Sequence, residues 1–138
     1  MKNKFTILGC GSSLGSPWIT NYSAKLKKNP KNIRTRCCAH IKKGDLSILI
    51  DTSPDIKNQF LKNKINTLDA IIYTHEHADQ TTGIFEMRPF FWKNKKKIPI
   101  YGSSRTIVEL KNKYTFCFKQ RHGYKPIMKA NVVKNKFK

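Results

Sequence analysis

Along residues 5–10, 37–42, 46–51, 68–73 and 98–101 the chain carries short apolar runs bounded by polar or small residues, and each predicts a strand. The first run stops at Gly9-Cys10-Gly11-Ser12-Ser13-Leu14-Gly15-Ser16-Pro17, where small residues allow tight turns and close backbone approach. Residues 18–36 have no clear period and contain Asn29-Pro30-Lys31-Asn32, which predicts a long loop. The second and third runs are joined across Lys43-Gly44-Asp45, the spacing of a hairpin. A helix is expected after Thr52-Ser53-Pro54-Asp55, with Ser53 as N-cap, Pro54 in the first turn and Asp55 at the positive end of the dipole. Its buried stripe is expected to be Ile56, Phe60, Leu61 and Ile65. Residues 83–91 read as helical, and Ser103 or Ser104 is placed to cap a helix through Ile107, Val108 and Leu110. Beyond Tyr114 the signals weaken, and residues 131–138 read as a strand or a frayed tail. Strands alternating with helices in this way predict an α/β layered architecture with ligand chemistry at the strand ends.

Composition narrows the picture. The 138 residues suit one domain spanning 1–138, with 38% apolar and 26% charged positions. Lys and Arg total 28 against 8 Asp and Glu, a formal charge of +20. Such a field attracts anionic substrates or nucleic acid and makes binding salt-sensitive. The lysines are dispersed, however, and Lys95 to Lys97 is the tight run, so a generally cationic surface accounts for the charge as well. Cys10, Cys37, Cys38 and Cys117 form no CxxC pair, and adjacent Cys37 and Cys38 suit a disulfide poorly, so reduced thiols are expected. No run approaches the ~20 apolar residues of a membrane span. The apolar stretch after Lys4 is also shorter than the roughly 7–15 residues of a signal-peptide core. A soluble cytoplasmic protein without membrane association is the expectation.

The chemistry concentrates in Thr74-His75-Glu76-His77-Ala78-Asp79-Gln80, directly after the fourth apolar run. On extended backbone, side chains two apart fall on one face, so His75 and His77 can reach one ion while Glu76 and Ala78 point away. Imidazole and carboxylate suit zinc and similar ions. Asp79 continues the alternation. It could bind a second metal, or orient and deprotonate a metal-bound water whose pKa the ion lowers towards about 7. Of the remaining histidines, His40 lies in a strand with a packing role and His122 in an exposed loop. Arg34, Arg36 and Arg88 are candidates for a substrate phosphate, because the guanidinium fork matches phosphate oxygens, although ion pairing explains each equally well. Backbone N–H groups of the 9–15 segment could also meet a phosphate.

These residues carry a resemblance. The 74–80 segment resembles the H-x-H-x-D-H motif of the metallo-β-lactamase superfamily, with Gln80 in place of the last histidine. Residues 5–17 (including ILGCGSSLGSP), 29–37 (NPKNIRTRC), 48–55 (ILIDTSPD), 83–88 (GIFEMR) and, more weakly, 123–127 (GYKPI) are similar in the same order to its phosphoribosyl cyclic phosphodiesterase-like branch. The resemblance implies an αββα sandwich, a mixed sheet with flanking helices, of which this chain is the N-terminal half. It implies one or two divalent ions, Zn or Mn, with His75 and His77 on the first, Asp79 on the second and Gln80 offering an amide oxygen. Asp51 would orient the site from beneath. The implied activity is hydrolysis of a small phosphodiester such as a cyclic phosphate by a metal-bound hydroxide.

Three departures shape the expectation. Gln80 is a weaker ligand than histidine, and residues 18–32 lack the cysteines of a structural zinc site. The histidine, bridging aspartate and final histidine of such families lie in a second half, so the chain is expected to be a truncated domain with weak activity alone. A complementing C-terminal polypeptide or a homodimer is the partner that implies. The alternatives are a split-gene fragment without activity, and a basic nucleic-acid-binding or tRNA-processing protein, the latter less favoured.

Overall fold

The computed structural model describes residues 3–21, 28–120 and 122–134. Its centre is one six-stranded sheet: β1 (Lys4–Gly9), β2 (Cys38–Lys43), β3 (Leu46–Ile50), β4 (Ala70–Ile72), β5 (Ile98–Gly102) and β6 (Met128–Val132), in that spatial order. The first three strands pair antiparallel and the last three additions are parallel. The β2–β3 hairpin turns at Gly44, whose φ of 57° is left-handed. Each parallel addition needs a crossover, and helices supply it. These are α1 (Ile56–Asn63) before β4; α2 (Ala78–Thr81), a 3-10 segment (Thr82–Met87) and α3 (Arg88–Asn94) before β5; and α4 (Ser104–Lys113) and α5 (Thr115–Phe118) before β6. Because strand order follows chain order, right-handed crossovers place all three connections on one face.

That face holds the core. His40, Leu49, Ile71 and Ile100 stand in register across β2 to β5, and Ile56, Phe60, Ile84, Met87, Phe90, Ile107 and Leu110 pack over them from the helices. The opposite face also reads apolar but is uncovered. Ile7, Ala39, Ile50, Ile72 and Tyr101 form one row, and Phe5, Ile41, Ile48 and Ala70 another; Phe5 is 62% exposed and Ile7 67%. The structure thus contains one helical and one sheet layer of the expected αββα sandwich. No helix among the described residues is long and apolar enough to cross a membrane, and all four cysteines are free thiols.

Several expectations are corrected in detail. Leu61 is exposed rather than buried, and Gln59 takes the inner position of α1. The reason is the long loop, whose Thr35 hydroxyl and Arg36 carbonyl accept hydrogen bonds from the Gln59 amide and turn that flank of the helix inward. The N-cap position falls on Asp55, not Ser53; the Ser53 hydroxyl accepts the Asp55 N–H one turn earlier. The Asp55 carboxylate serves Arg36 instead of the helix, accepting from its backbone N–H at 2.9 Å and from its guanidinium at 2.9 and 2.6 Å. The helix expected over 83–91 is split, because Pro89 lacks a donor and starts α3 in its first turn. Ser103 does cap α4, accepting from Thr106 N–H. Within the long loop, Pro30–Asn32 forms a 3-10 turn, and of the strand-or-tail expectation over 131–138 the last four residues lie outside those described.

Replacing Leu49 by Ala should cost about 2–5 kcal/mol in urea unfolding, whereas Leu61→Ala should change stability by under about 0.5 kcal/mol. His40 is buried, with Nε2 2.8 Å from the Ser47 hydroxyl, and burial, then the charges of Lys42 and Lys4, hold its imidazole below its ordinary range. The unfolded chain therefore protonates here before the folded one, so this contribution to stability is full above about pH 6.5 and is lost as pH falls through it. His40→Asn should give a shallower loss of Tm between about pH 7.5 and 5 than the parent chain shows.

Candidate metal centre

The segment after β4 owes its position to the β3–β4 pairing. Ile50 stands opposite Ile72, and the chain beyond each strand turns at the same end of the sheet. Asp51 adopts a left-handed φ of 62°, unusual for a residue with a Cβ but tolerated by Asp, and donates its N–H to the Ile72 carbonyl. This turns its carboxylate under Thr74. Asp51 accepts from the Thr74 N–H at 2.8 Å and from the Thr74 hydroxyl at 2.7 Å. Burial pushes the Asp51 carboxyl above its ordinary range, while these two hydrogen bonds pull the other way.

The Thr74 hydroxyl also lies 3.0 Å from His75 Nδ1. Its single proton is directed at Asp51, so towards His75 it can only accept. That arrangement puts the imidazole proton on Nδ1 and leaves the lone pair on Nε2. Asp51 and Thr74 thereby select the tautomer in which Nε2 is available to a cation. The His77 ring lies 4.6 Å from the His75 ring, centroid to centroid, at 73°. One donor atom from each of His75, His77 and Asp79 falls within 4.8 Å of the other two.

The route to this convergence differs from the expected one. Strand alternation does not run through the segment: His77 caps α2 and Asp79 lies in its first turn. Helical winding replaces the pleat, yet the carboxylate still reaches the imidazoles. Glu76 does point elsewhere, pairing with Arg105 at 2.8 Å, and its carbonyl accepts from Lys113 Nζ, so the loop is tied to α4 at both ends. Gln80 is buried, and its amide Nε2 donates to Asp79 Oδ2 at 2.9 Å, which fixes the rotation of that carboxylate.

Buried hydroxyls hold the backbone around the donors. Thr52 N–H donates to the Gln80 carbonyl and its Oγ1 to the Thr81 carbonyl, with the Tyr73 hydroxyl 2.9 Å away. Burial keeps the Tyr73 phenol well above its ordinary pKa, so it stays a neutral donor and acceptor. Thr81 Oγ1 bonds the His77 carbonyl and meets the Tyr114 hydroxyl at 3.0 Å. Gly83 donates to Thr52 O, and a Cβ there would stand 2.2 Å from Ser53 O, so only glycine lets the two segments approach. Sequence reasoning did not single out Thr52, Thr74 or Thr81. No spacing rule marks them, because their partners lie across the chain.

Of the arginines expected to meet phosphate, Arg34 donates to the Lys31 carbonyl and contacts Cys10 Sγ, Arg36 is forked onto Asp55, and Arg88 stacks on Phe85. None of these contacts involves His75, His77 or Asp79. His122 is exposed in the loop before β6. Two imidazoles and a carboxylate suit zinc or manganese by donor type, and ions of this kind draw each donor to about 2.0–2.2 Å. With the three donor atoms within 4.8 Å of one another and of the right type, the residues fit a divalent ion.

Sheet, crossovers and donor set define a hydrolase-like α/β fold with a divalent-metal donor set at the end of a parallel strand. The chain belongs to the metallo-β-lactamase superfamily: the family described as beta-lactamase superfamily domain matches residues 47–136. It is similar in structure to a diphosphatase from the PhnP family, with 29% identity, coverage of 99% of this chain and 52% of that one, and a TM-score of 0.85. The fold is also shared with zinc-bound PqqB from Methylobacterium extorquens, at 16% identity over 96% of this chain and 46% of that one, TM-score 0.74. Human tRNase Z, short form, matches at 16% identity over 95% and 43%, TM-score 0.62. In sequence the chain is 28% identical over 132 residues to an octanoyltransferase of Porphyromonas gingivalis (strain ATCC BAA-308 / W83), covering 93% of this chain and 26% of that protein. The chain thus spans about half the length of the solved proteins it matches and about a quarter of the curated one.

Thr74→Val keeps the shape of the side chain but breaks the link from Asp51 to His75. Zinc affinity, measured by chelator competition, should fall about 10- to 100-fold with the fold intact by circular dichroism.

Proposed function

We propose that this chain supplies the first-metal half of a hydrolase acting on a small phosphate compound, either a phosphodiester such as a cyclic phosphate or a diphosphate. The observation that carries the reading is the convergence of His75, His77 and Asp79 within 4.8 Å at the end of β4. The 29% identity to a diphosphatase across nearly the whole chain supports the substrate class.

In this reading His75, through Nε2, and His77 hold one divalent ion, Zn or Mn, and Asp79 either contributes to a second or holds and accepts the proton of the attacking water. Bound there, the ion supplies Lewis acidity toward a phosphoryl oxygen and lowers the pKa of water at the site. Gln80 acts on Asp79, not on the cation: its N–H keeps the carboxylate rotated toward the imidazoles. Asp51 and Thr74 keep His75 in the binding tautomer. A carboxylate two residues from the second imidazole is well placed to serve as general base, because it shares the pocket with the ion without needing a long side chain to fold back.

Three protein donors are enough for one catalytic ion, and a site that holds two ions needs more than these three. The uncovered apolar sheet face, with Phe5, Ile7, Ile50 and Ile72, offers the place for a further β layer that would bring them. We assign that layer to polypeptide outside these 138 residues, or to a second copy of them.

The chain alone is expected to bind about one equivalent of zinc or manganese, measured by mass spectrometry of the metal after desalting, while hydrolysing bis(p-nitrophenyl) phosphate weakly. His77→Ala should lose the metal and the residual turnover together. A wild-type chain that takes up no divalent metal would overturn the proposal.

A further inference from the structure

Beyond the metal centre, the helical side of the molecule carries a groove whose walls combine rings and cations. Phe85, Arg88, Phe116, Tyr124 and Lys125 line a hollow of about 250 Å³. A second hollow of about 570 Å³ continues from it, sharing Arg88, Tyr124 and Lys125 and adding Trp92 and Lys95. None of His75, His77 or Asp79 lines either one.

Three features of this groove point to one ligand chemistry. First, the Arg88 guanidinium lies 3.7 Å from the Phe85 ring centroid and 5.4 Å from that of Trp92. Stacking fixes its plane and leaves its N–H edge open for a forked anion. Second, no carboxylate among the described residues takes that edge, nor pairs with Lys95 or Lys125, so the positive charge of the groove is uncompensated. Third, the aromatic faces are open, Trp92 being 53% and Tyr124 64% exposed, while Phe85 and Phe116 brace each other edge to face at 5.9 Å.

An alkyl chain or an apolar peptide would cover the rings but strip water from an unpaired guanidinium, which is costly. A simple anion would pair with Arg88 and leave the rings bare. A planar heterocycle carrying a phosphate satisfies both requirements, and the combined hollow is of the size of ordinary ligand pockets. The net charge of +20 favours the same class by drawing phosphates to the surface.

We propose that this groove binds a nucleotide unit, its base stacked on Trp92 and Tyr124 and its phosphate forked by Arg88 between Lys95 and Lys125. The site stands independently of the metal-centre reading. The unit is either a free nucleotide or one residue of a single-stranded RNA.

The test is calorimetric titration of the full chain with AMP, in excess EDTA so that phosphate cannot be held through a metal, at about 150 mM salt to screen diffuse attraction. Saturable binding is expected, weakened about tenfold by Arg88→Gln at a half-buried position and by Tyr124→Ala at an exposed one, and unchanged by Lys57→Gln. A short oligouridylate binding about as well as AMP marks the free nucleotide as the source, and one binding at least about tenfold tighter marks RNA; both support the site. Inorganic phosphate matching AMP would overturn it, as would equal losses from Lys57→Gln and Arg88→Gln. Retention of the apolar dye 1-anilinonaphthalene-8-sulfonate in the groove against saturating AMP would also overturn it, assigning the rings to apolar ligands.

Discussion

The parallel pairing of β3 with β4 is the constraint on which the site depends. With Ile48, Leu49 and Ile50 opposite Ala70, Ile71 and Ile72, the residues that follow each strand leave the sheet side by side. Asp51 then meets Thr74, and Thr52 meets the carbonyls of Gln80 and Thr81. The register itself is held by the buried row from Leu49 through Ile71 to Ile100. A slip of one residue would send that row to the open face and Asp51 away from the histidines, because side chains alternate with period two. Core packing and site geometry are thus one constraint seen from two ends of the same strands.

Acidic side chains are scarce in this chain, eight against twenty-eight basic ones, and their placement is informative. Asp51 orients Thr74, Asp55 anchors the long loop through Arg36, and Asp69 accepts the Ser47 N–H at the far end of the sheet. Glu76 ties the donor loop to Arg105, and Asp79 is itself a donor held by Gln80. Asp51, Asp55, Asp69 and Glu76 thus sit where separate segments are joined, and lysines are spread over the remaining surface. The cationic excess is therefore distributed over the exterior, and it becomes specific only where aromatic rings fix a guanidinium, as at Arg88.

Two uncovered apolar surfaces differ in kind. The sheet face is flat, built of aliphatic rows in strand register, and suits another layer of secondary structure. The groove over Phe85, Trp92 and Tyr124 is concave and edged with cations, and suits a small anionic ring system. The superfamily match accounts for the fold and for the donor segment; the groove follows from the particular residues of this chain.

Strands, hairpin, most helices and the His-x-His-x-Asp segment were legible in the residues because each rests on a local rule: apolar alternation, a glycine turn, a serine cap, a ligand spacing. Where the local rule met a long-range contact, it failed. Leu61 was expected inside and lies outside because the loop around Arg36 claims Gln59. Two further differences are local: the helix after Ser53 begins two residues later than its serine predicts, and the helix over 83–91 breaks at Pro89, which lacks a donor. The sequence by itself determined which groups able to bind a cation stand close together along the chain. Only the tertiary structure decided how they are aimed: the Asp51 to Thr74 link spans 23 residues, and the proton it leaves on His75 Nδ1 depends on a strand pairing that no local pattern encodes.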